Sequence, residues 1–165
     1  LDVAKLQEQL AKMVDTSQLK VSARRGSLVV ELPAEVLFRS ASAELSEQGQ
    51  LSVLEVGFIL KQFPERRFLV VGHTDSLPLK NAAFRDDWQL STARALTVTH
   101  VVVKAGVKPS ALIAAGAGEH DPLRNNSRAE DRGRNRRIET QLLPAIAELP
   151  RLPVEAKPTA PRAAA

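Results

Sequence analysis

Residues 70–94 read VVGHTDSLPLKNAAFRDDWQLSTAR, and this stretch decides how the chain folds. An apolar strand runs into Gly72-His73-Thr74-Asp75, and a helix carrying Leu90, Ser91 and Arg94 follows. Positions 76–87 between them form a polar, proline-containing loop, longer than most connections and so a candidate functional loop. One carboxylate and one guanidinium are thereby presented from adjoining elements. A strand end beside the first turns of a helix suits small charged groups, because backbone N–H groups and the helix dipole favour anions there. A ligand bearing both an ammonium and a carboxylate would fit Asp75 and Arg94; the spacing alone fits an ion pair tying helix to strand equally well.

Outward from this stretch, helix alternates with strand. Leu19 and Val21, then Leu28, Val30 and Leu32, alternate around Arg25-Gly26, which predicts two antiparallel strands joined by a tight turn and ended by Pro33. Leu51, Leu54, Phe58 and neighbouring Val56, Ile59 and Leu60 recur at helical spacing and predict an amphipathic helix over 47–62, with Ser46 as its cap. Phe68-Leu69-Val70-Val71 is apolar at consecutive positions, as in a strand covered on both faces. A second long helix is expected over 87–105, its buried side supplied by Leu90, Ala93, Leu96, Thr97 and Val101. The β-branched run from Val98 to Val103 forms helix poorly by itself, so burial must hold it. Leu112 to Gly116 reads as a strand, 118–134 as a polar arginine-rich loop or short helix, and Arg137 to Leu142 as a closing strand. The result is an α/β chain.

The ends differ from this middle. Val3, Leu6, Leu10 and Met13 form a helical apolar stripe that suits either a short coiled coil or packing onto the chain's own domain. Five of the ten prolines lie beyond Leu143, a composition that buries little. The expected division is an N-terminal helix or linker at 1–16, one domain at 17–143 and a Pro/Ala-rich flexible tail at 144–165.

Composition removes several function classes. The chain has no cysteine, which excludes a disulfide framework and any thiolate metal site. No run of eighteen apolar residues is present, so no segment here is expected to span a bilayer. The chain begins at Leu1 and reads as a processed or excised portion of a longer protein. His73 has only His100 and His120 as histidine partners, at no recognised metal spacing, so neither metal nor cofactor is expected. Arg124, Arg128, Arg132, Arg134, Arg136 and Arg137 fall within fourteen positions and form either a patch for an anionic surface or a solvated face.

Five ordered blocks carry a resemblance: VLFRSASAELSEQG, VVGHTDSLP, DDWQLSTARALTV, GAGEHDPLRNN and RGRNRRIE. Together they resemble the OmpA-like peptidoglycan-binding domain of outer-membrane proteins, Pal-type lipoproteins and MotB-type flagellar stator proteins, over about residues 33–143. The long stretch between Asp75 and Leu90 is most similar to the stator type. The resemblance implies an α/β sandwich: a small mixed sheet with two long helices packed on one face, and a groove for the peptide stem of uncrosslinked peptidoglycan. It implies that Asp75 accepts from the ammonium of meso-diaminopimelate and that Arg94 pairs with its carboxylate, the two standing near each other and ionised before ligand arrives. A planar guanidinium matches a carboxylate as a two-pronged fork, which lysine would not.

By the same resemblance Thr74 and nearby backbone donate to the ligand, Leu90 and Ser91 shape the helix side of the groove, and Phe38 forms part of its wall. Arg136, first arginine of the Asn135-Arg136-Arg137 motif, lies close to the groove; Arg137 braces the strand. His73 orders the loop. One departure stands out: the family usually has asparagine where this chain has Asp87, which substitutes an acceptor-only carboxylate and suits a helix N-cap as well as ligand contact. The implied function is noncatalytic wall anchoring in the periplasm, as a homodimer, with the membrane anchor outside this chain. The alternatives are a cell-wall hydrolase using His73 and Asp75, and a nucleic-acid patch from Arg124 to Arg137; the missing aromatic sheet motif speaks against the latter.

Overall fold

The computed structural model describes residues 2–14, 19–79 and 83–145. Its elements run α1 (Asp2–Ala11), β1 (Lys20–Arg24), β2 (Ser27–Pro33), α2 (Ala34–Leu37), α3 (Glu47–Leu60), β3 (Phe68–His73), α4 (Asp87–Lys104), β4 (Leu112–Gly118), α5 (Ala129–Asn135) and β5 (Arg137–Leu142). A single 3-10 turn, Pro109–Ala111, leads into β4. The five strands form one mixed sheet in the order β1-β2-β5-β3-β4. β3 and β4 are parallel, linked through α4, and the other pairs are antiparallel.

Local chemistry explains these boundaries. Arg25 and Gly26 both take positive φ, 53° and 77°, the conformation a two-residue hairpin turn needs. Ser46 accepts from the Gly49 N–H at 2.9 Å and so starts α3. Asp86, not Asp87, caps α4 through the Gln89 N–H at 2.8 Å, which corrects the N-cap expectation and leaves the Asp87 carboxylate to the first turn. The strand predicted to close the sheet lies inside it instead, because β5 inserts between β2 and β3 and pairs with both.

The core lies between the sheet and α1, α3 and α4. Ile138 and Leu142 of β5 enter it while Arg137 and Glu139 take the opposite face, as strand alternation requires. Leu6 and Leu10 are 2% and 0% exposed in this same core, so the N-terminal stripe packs on its own domain rather than offering a coiled-coil seam. Each such side chain contributes about 1.5–3 kcal/mol by leaving water. The homodimer expected through that helix therefore loses its proposed contact. The tail reading over 146–165 lies outside the described residues.

Each long helix buries only part of its expected apolar stripe. Leu51 and Phe58 are 56% and 47% exposed, while Val56 and Leu60 of the expected stripe are buried together with Gly49, Ser52, Val53 and Gly57. A Cβ at Gly49 would stand 2.2 Å from the Leu37 carbonyl oxygen, and one at Gly57 would stand 2.6 Å from the Ala105 Cβ. Close backbone approach, not side-chain bulk, sets which way α3 turns. On α4, Leu96 is 45% exposed, while Val98, Val101 and Val102 are buried and hold the β-branched run.

Candidate functional site

An open groove of roughly 480 Å³ lies beside the C-terminal end of β3. It is lined by Ala34, Glu35, Phe38, Arg39, Ser40, Ala41, Thr74, Asp75, Leu77, Pro78, Leu79, Asp87, Leu90, Arg94 and Arg136. The volume lies in the range of small-ligand sites. Its position depends on glycine. A Cβ at Gly72 would stand 2.1 Å from the Ser91 carbonyl oxygen, and one at Gly116 would stand 2.2 Å from Thr92 Oγ1. Bare backbone at these places lets α4 settle onto β3 and β4, which brings Leu90 and Arg94 alongside Asp75.

Arg94 is oriented by two contacts of its own. Its Nε donates to the Ser42 carbonyl at 2.8 Å, and its guanidinium carbon lies 5.0 Å from the centre of the Phe38 ring. One turn further along α4, the Thr97 hydroxyl donates to the Ala43 carbonyl at 2.8 Å, fixing the same loop. Among the described residues, neither terminal guanidinium nitrogen of Arg94 has an acceptor. Burial and the nearby Arg136 push its pKa down while Asp75 pushes it up, and an arginine so placed stays charged. The result is a buried, preoriented fork awaiting an anion. Ala41, also on the wall, holds a left-handed φ of 51°.

Asp75 is engaged elsewhere. Its Oδ1 accepts from the Leu77 N–H at 3.0 Å and its Oδ2 from Arg136 Nη1 at 2.5 Å. Arg136 Nη2 donates in turn to Glu35 Oε1. Burial works against the Arg136 charge, but the hydrogen bonds to Glu35 and Asp75 outweigh it and raise its pKa. Asp75 and Arg94 thus face one groove without forming the direct pair that the sequence suggested; Arg136 is the direct partner. The Thr74 N–H is engaged by the Gly118 carbonyl at 2.9 Å and its hydroxyl by the Asp75 carbonyl at 3.1 Å, so Thr74 lines the groove without an idle backbone donor.

The chain matches the OmpA family over residues 37–136. It belongs to that family. Motility protein B of Bacillus subtilis (strain 168) is 30% identical over 128 residues, which is 77% of this chain and 49% of that protein. The chain therefore spans about half the length of this curated relative. Among solved structures, the cell wall anchor of the T6SS from Pseudomonas aeruginosa superposes with a TM-score of 0.74 at 30% identity, over 83% of this chain and 95% of that one. A MotB-like protein from Desulfovibrio vulgaris gives 0.76 at 28% identity, over 84% and 92%. The mixed five-stranded sheet with helices is the architecture these relatives share.

For this OmpA-family chain, the structure gathers Phe38, Thr74, Asp75, Asp87, Leu90, Arg94 and Arg136 around the groove and leaves two expected residues out. His73 is 2% exposed and does not line it; its Nε2 lies 3.5 Å from Glu139 Oε2, at the outer edge of hydrogen bonding, on the other side of β3. It is packed beneath the sheet rather than ordering the loop from within the groove, and the hydrolase reading loses the base it required. Ser91 is fully buried: its hydroxyl accepts from the Gly118 N–H at 3.0 Å and donates to the Trp88 carbonyl at 3.1 Å, a latch between α4 and β4 rather than a groove wall. Among the described residues there is no cluster of three or more metal-ligating side chains.

Sequence reasoning missed Glu35, whose carboxylate anchors Arg136 from α2. No sequence signal pairs positions a hundred residues apart. The arginine-rich stretch also disperses. Arg132 donates to the Asn126 and Ser127 carbonyls, Arg134 lies 3.7 Å from Glu31, Arg136 serves the groove and Arg137 is buried, so a continuous cationic face does not form from these four.

Proposed function

We propose that this domain is a noncatalytic module that holds the peptide stem of peptidoglycan, with a dipolar head group such as the side-chain end of diaminopimelate seated in the groove. The observation that carries this reading is the Arg94 fork, buried, stacked on Phe38 and lacking an acceptor on its terminal nitrogens among the described residues, beside the acidic Asp75 and Asp87. A carboxylate would dock on the fork and an adjacent ammonium on the acidic side, each contact contributing about 1.5–3 kcal/mol when well formed. Phe38 and Leu90 would pack the hydrocarbon between them.

Membership of the OmpA family and likeness to a cell wall anchor support the same role. In the whole protein the domain would act in the periplasm, tethering a membrane-anchored envelope component to the wall. Cosedimentation with purified diaminopimelate-type sacculi tests this. Wild type should pellet with the sacculi, Arg94→Ala should remain in the supernatant, and no wall fragments should be released. Equal pelleting of wild type and Arg94→Ala would reject the site, and soluble sugar or peptide products would reject the noncatalytic role.

A further inference from the structure

The face of α3 that turns away from the core has an order of its own. Glu47, Leu51, Leu54, Phe58 and Lys61 recur at spacings of four, three, four and three, which keeps them on one narrow stripe of the helix. Leu54 is half-buried and the other four are exposed, Leu51 and Phe58 at 56% and 47%. Glu47 opens the helix and Lys61 caps its C-terminal end. Among the described residues neither has an oppositely charged partner, and the Lys61 ammonium lies 5.1 Å from the centre of the Phe58 ring. The stripe therefore reads acid, leucine, leucine, phenylalanine, base. None of the five residues lines the groove.

We infer that this face pairs with the same face of a second copy, the two α3 helices lying antiparallel about a twofold axis at Leu54. Glu47 and Lys61 stand seven positions to either side of Leu54, and Leu51 and Phe58 stand three and four. The axis thus sets Leu51 of one copy near Phe58 of the other and Glu47 against Lys61 at both ends. Each acid also meets the C-terminal end of the opposing helix beside that lysine, and the two helix dipoles oppose. A parallel arrangement would set acid on acid and base on base. Balance of charge and size about one residue is what a self-complementary contact requires, and a contact with an unlike partner has no need of it. One helix pair is small beside a standard interface, so the affinity is modest. With both grooves on the wall as proposed, even modest pairing raises retention through effective concentration.

Sedimentation equilibrium of the full 165-residue chain, from about 1 µM to about 1 mM, tests the pairing without reference to any ligand. Wild type should show a reversible equilibrium of monomer and dimer within this range. Phe58→Glu puts a charge into the middle of the stripe and should weaken dimerisation at least about tenfold. Glu47→Lys and Lys61→Glu should each weaken self-association, most clearly at low salt. An equimolar mixture of these two should dimerise more tightly than either alone, because the antiparallel register then sets opposite charges together at both ends; that rescue also shows both variants to be folded. Wild type that stays monomeric throughout overturns the inference and leaves the stripe to a different protein. A dimer that Phe58→Glu does not weaken, or charge variants whose mixture associates no better than each alone, puts the contact or its register elsewhere and overturns it as well.

Discussion

Two charge clusters grow from neighbouring residues of the same two segments, and they have opposite characters. Arg137 and His73 point to the far face of the sheet; Arg136 and Asp75 point into the groove. On the far face Arg137 donates to Glu139 at 2.8 Å and to the Asn135 and Asp121 carbonyls at 3.0 Å. Arg24 bridges Glu139 at 2.9 Å and Asp121 at 2.6 Å, and Gln141 donates to Glu139 at 2.9 Å. Burial disfavours the Glu139 charge, yet His73, Arg137 and Gln141 together hold its carboxyl well below the usual range. This cluster is sealed and paired. The groove cluster is open, with Arg94 awaiting an anion and Asp87 held above its usual range by burial and by the neighbouring carboxylates Glu119, Asp75 and Asp86. Saturated charges brace a fold, whereas charges kept unsaturated at a groove are available to a ligand.

Breaking the sealed cluster should have the largest effect. Arg137→Ala leaves Glu139 buried beside fewer partners and should cost about 3–5 kcal/mol, a fall in melting temperature on the order of 10 °C read by calorimetry. Acid titration sharpens the contrast. The folded-state pKa of Glu139 is depressed, so its stabilisation is fully present above the unfolded carboxylate value of about 4.3 and is lost as pH falls below that toward the folded value. Unfolding free energy measured from pH 7 to pH 3 should drop more steeply in wild type than in Glu139→Gln. Asp87 has the opposite sign. Its raised pKa makes the charged form a burden above the folded value, relieved as pH falls and absent below the unfolded value of about 3.9. Asp87→Asn should therefore stabilise the domain at pH 7 by at most about 0.5 kcal/mol in denaturant titration, the smallest effect and the one most characteristic of a site.

The sequence made the elements legible because their periodicities were local. The 25–26 turn, the Ser46 cap, β3 and α4 all follow from residues within a few positions of one another. What escaped was determined at a distance. The buried face of α3 follows from Gly49 and Gly57 meeting Leu37 and Ala105, which no apolar count within the helix reveals. The placement of β5 between β2 and β3 is a matter of sheet order. The groove residues were named from the family blocks, but their connections were not: Arg136 takes Asp75, Glu35 takes Arg136, and His73 belongs to the sealed cluster. Adjacent residues on a strand face opposite ways, and the motif order alone gives no sign of which side faces the ligand.

The central claim is that the groove reads a carboxylate beside an ammonium. Titrating wild type with a diaminopimelate-ending stem tripeptide and with its lysine-ending counterpart, which keeps the amine but lacks the side-chain carboxylate, tests it most directly. The account predicts that wild type binds the diaminopimelate peptide at least about tenfold more tightly and that Arg94→Ala loses the difference. Equal affinity of wild type for the two peptides would contradict it.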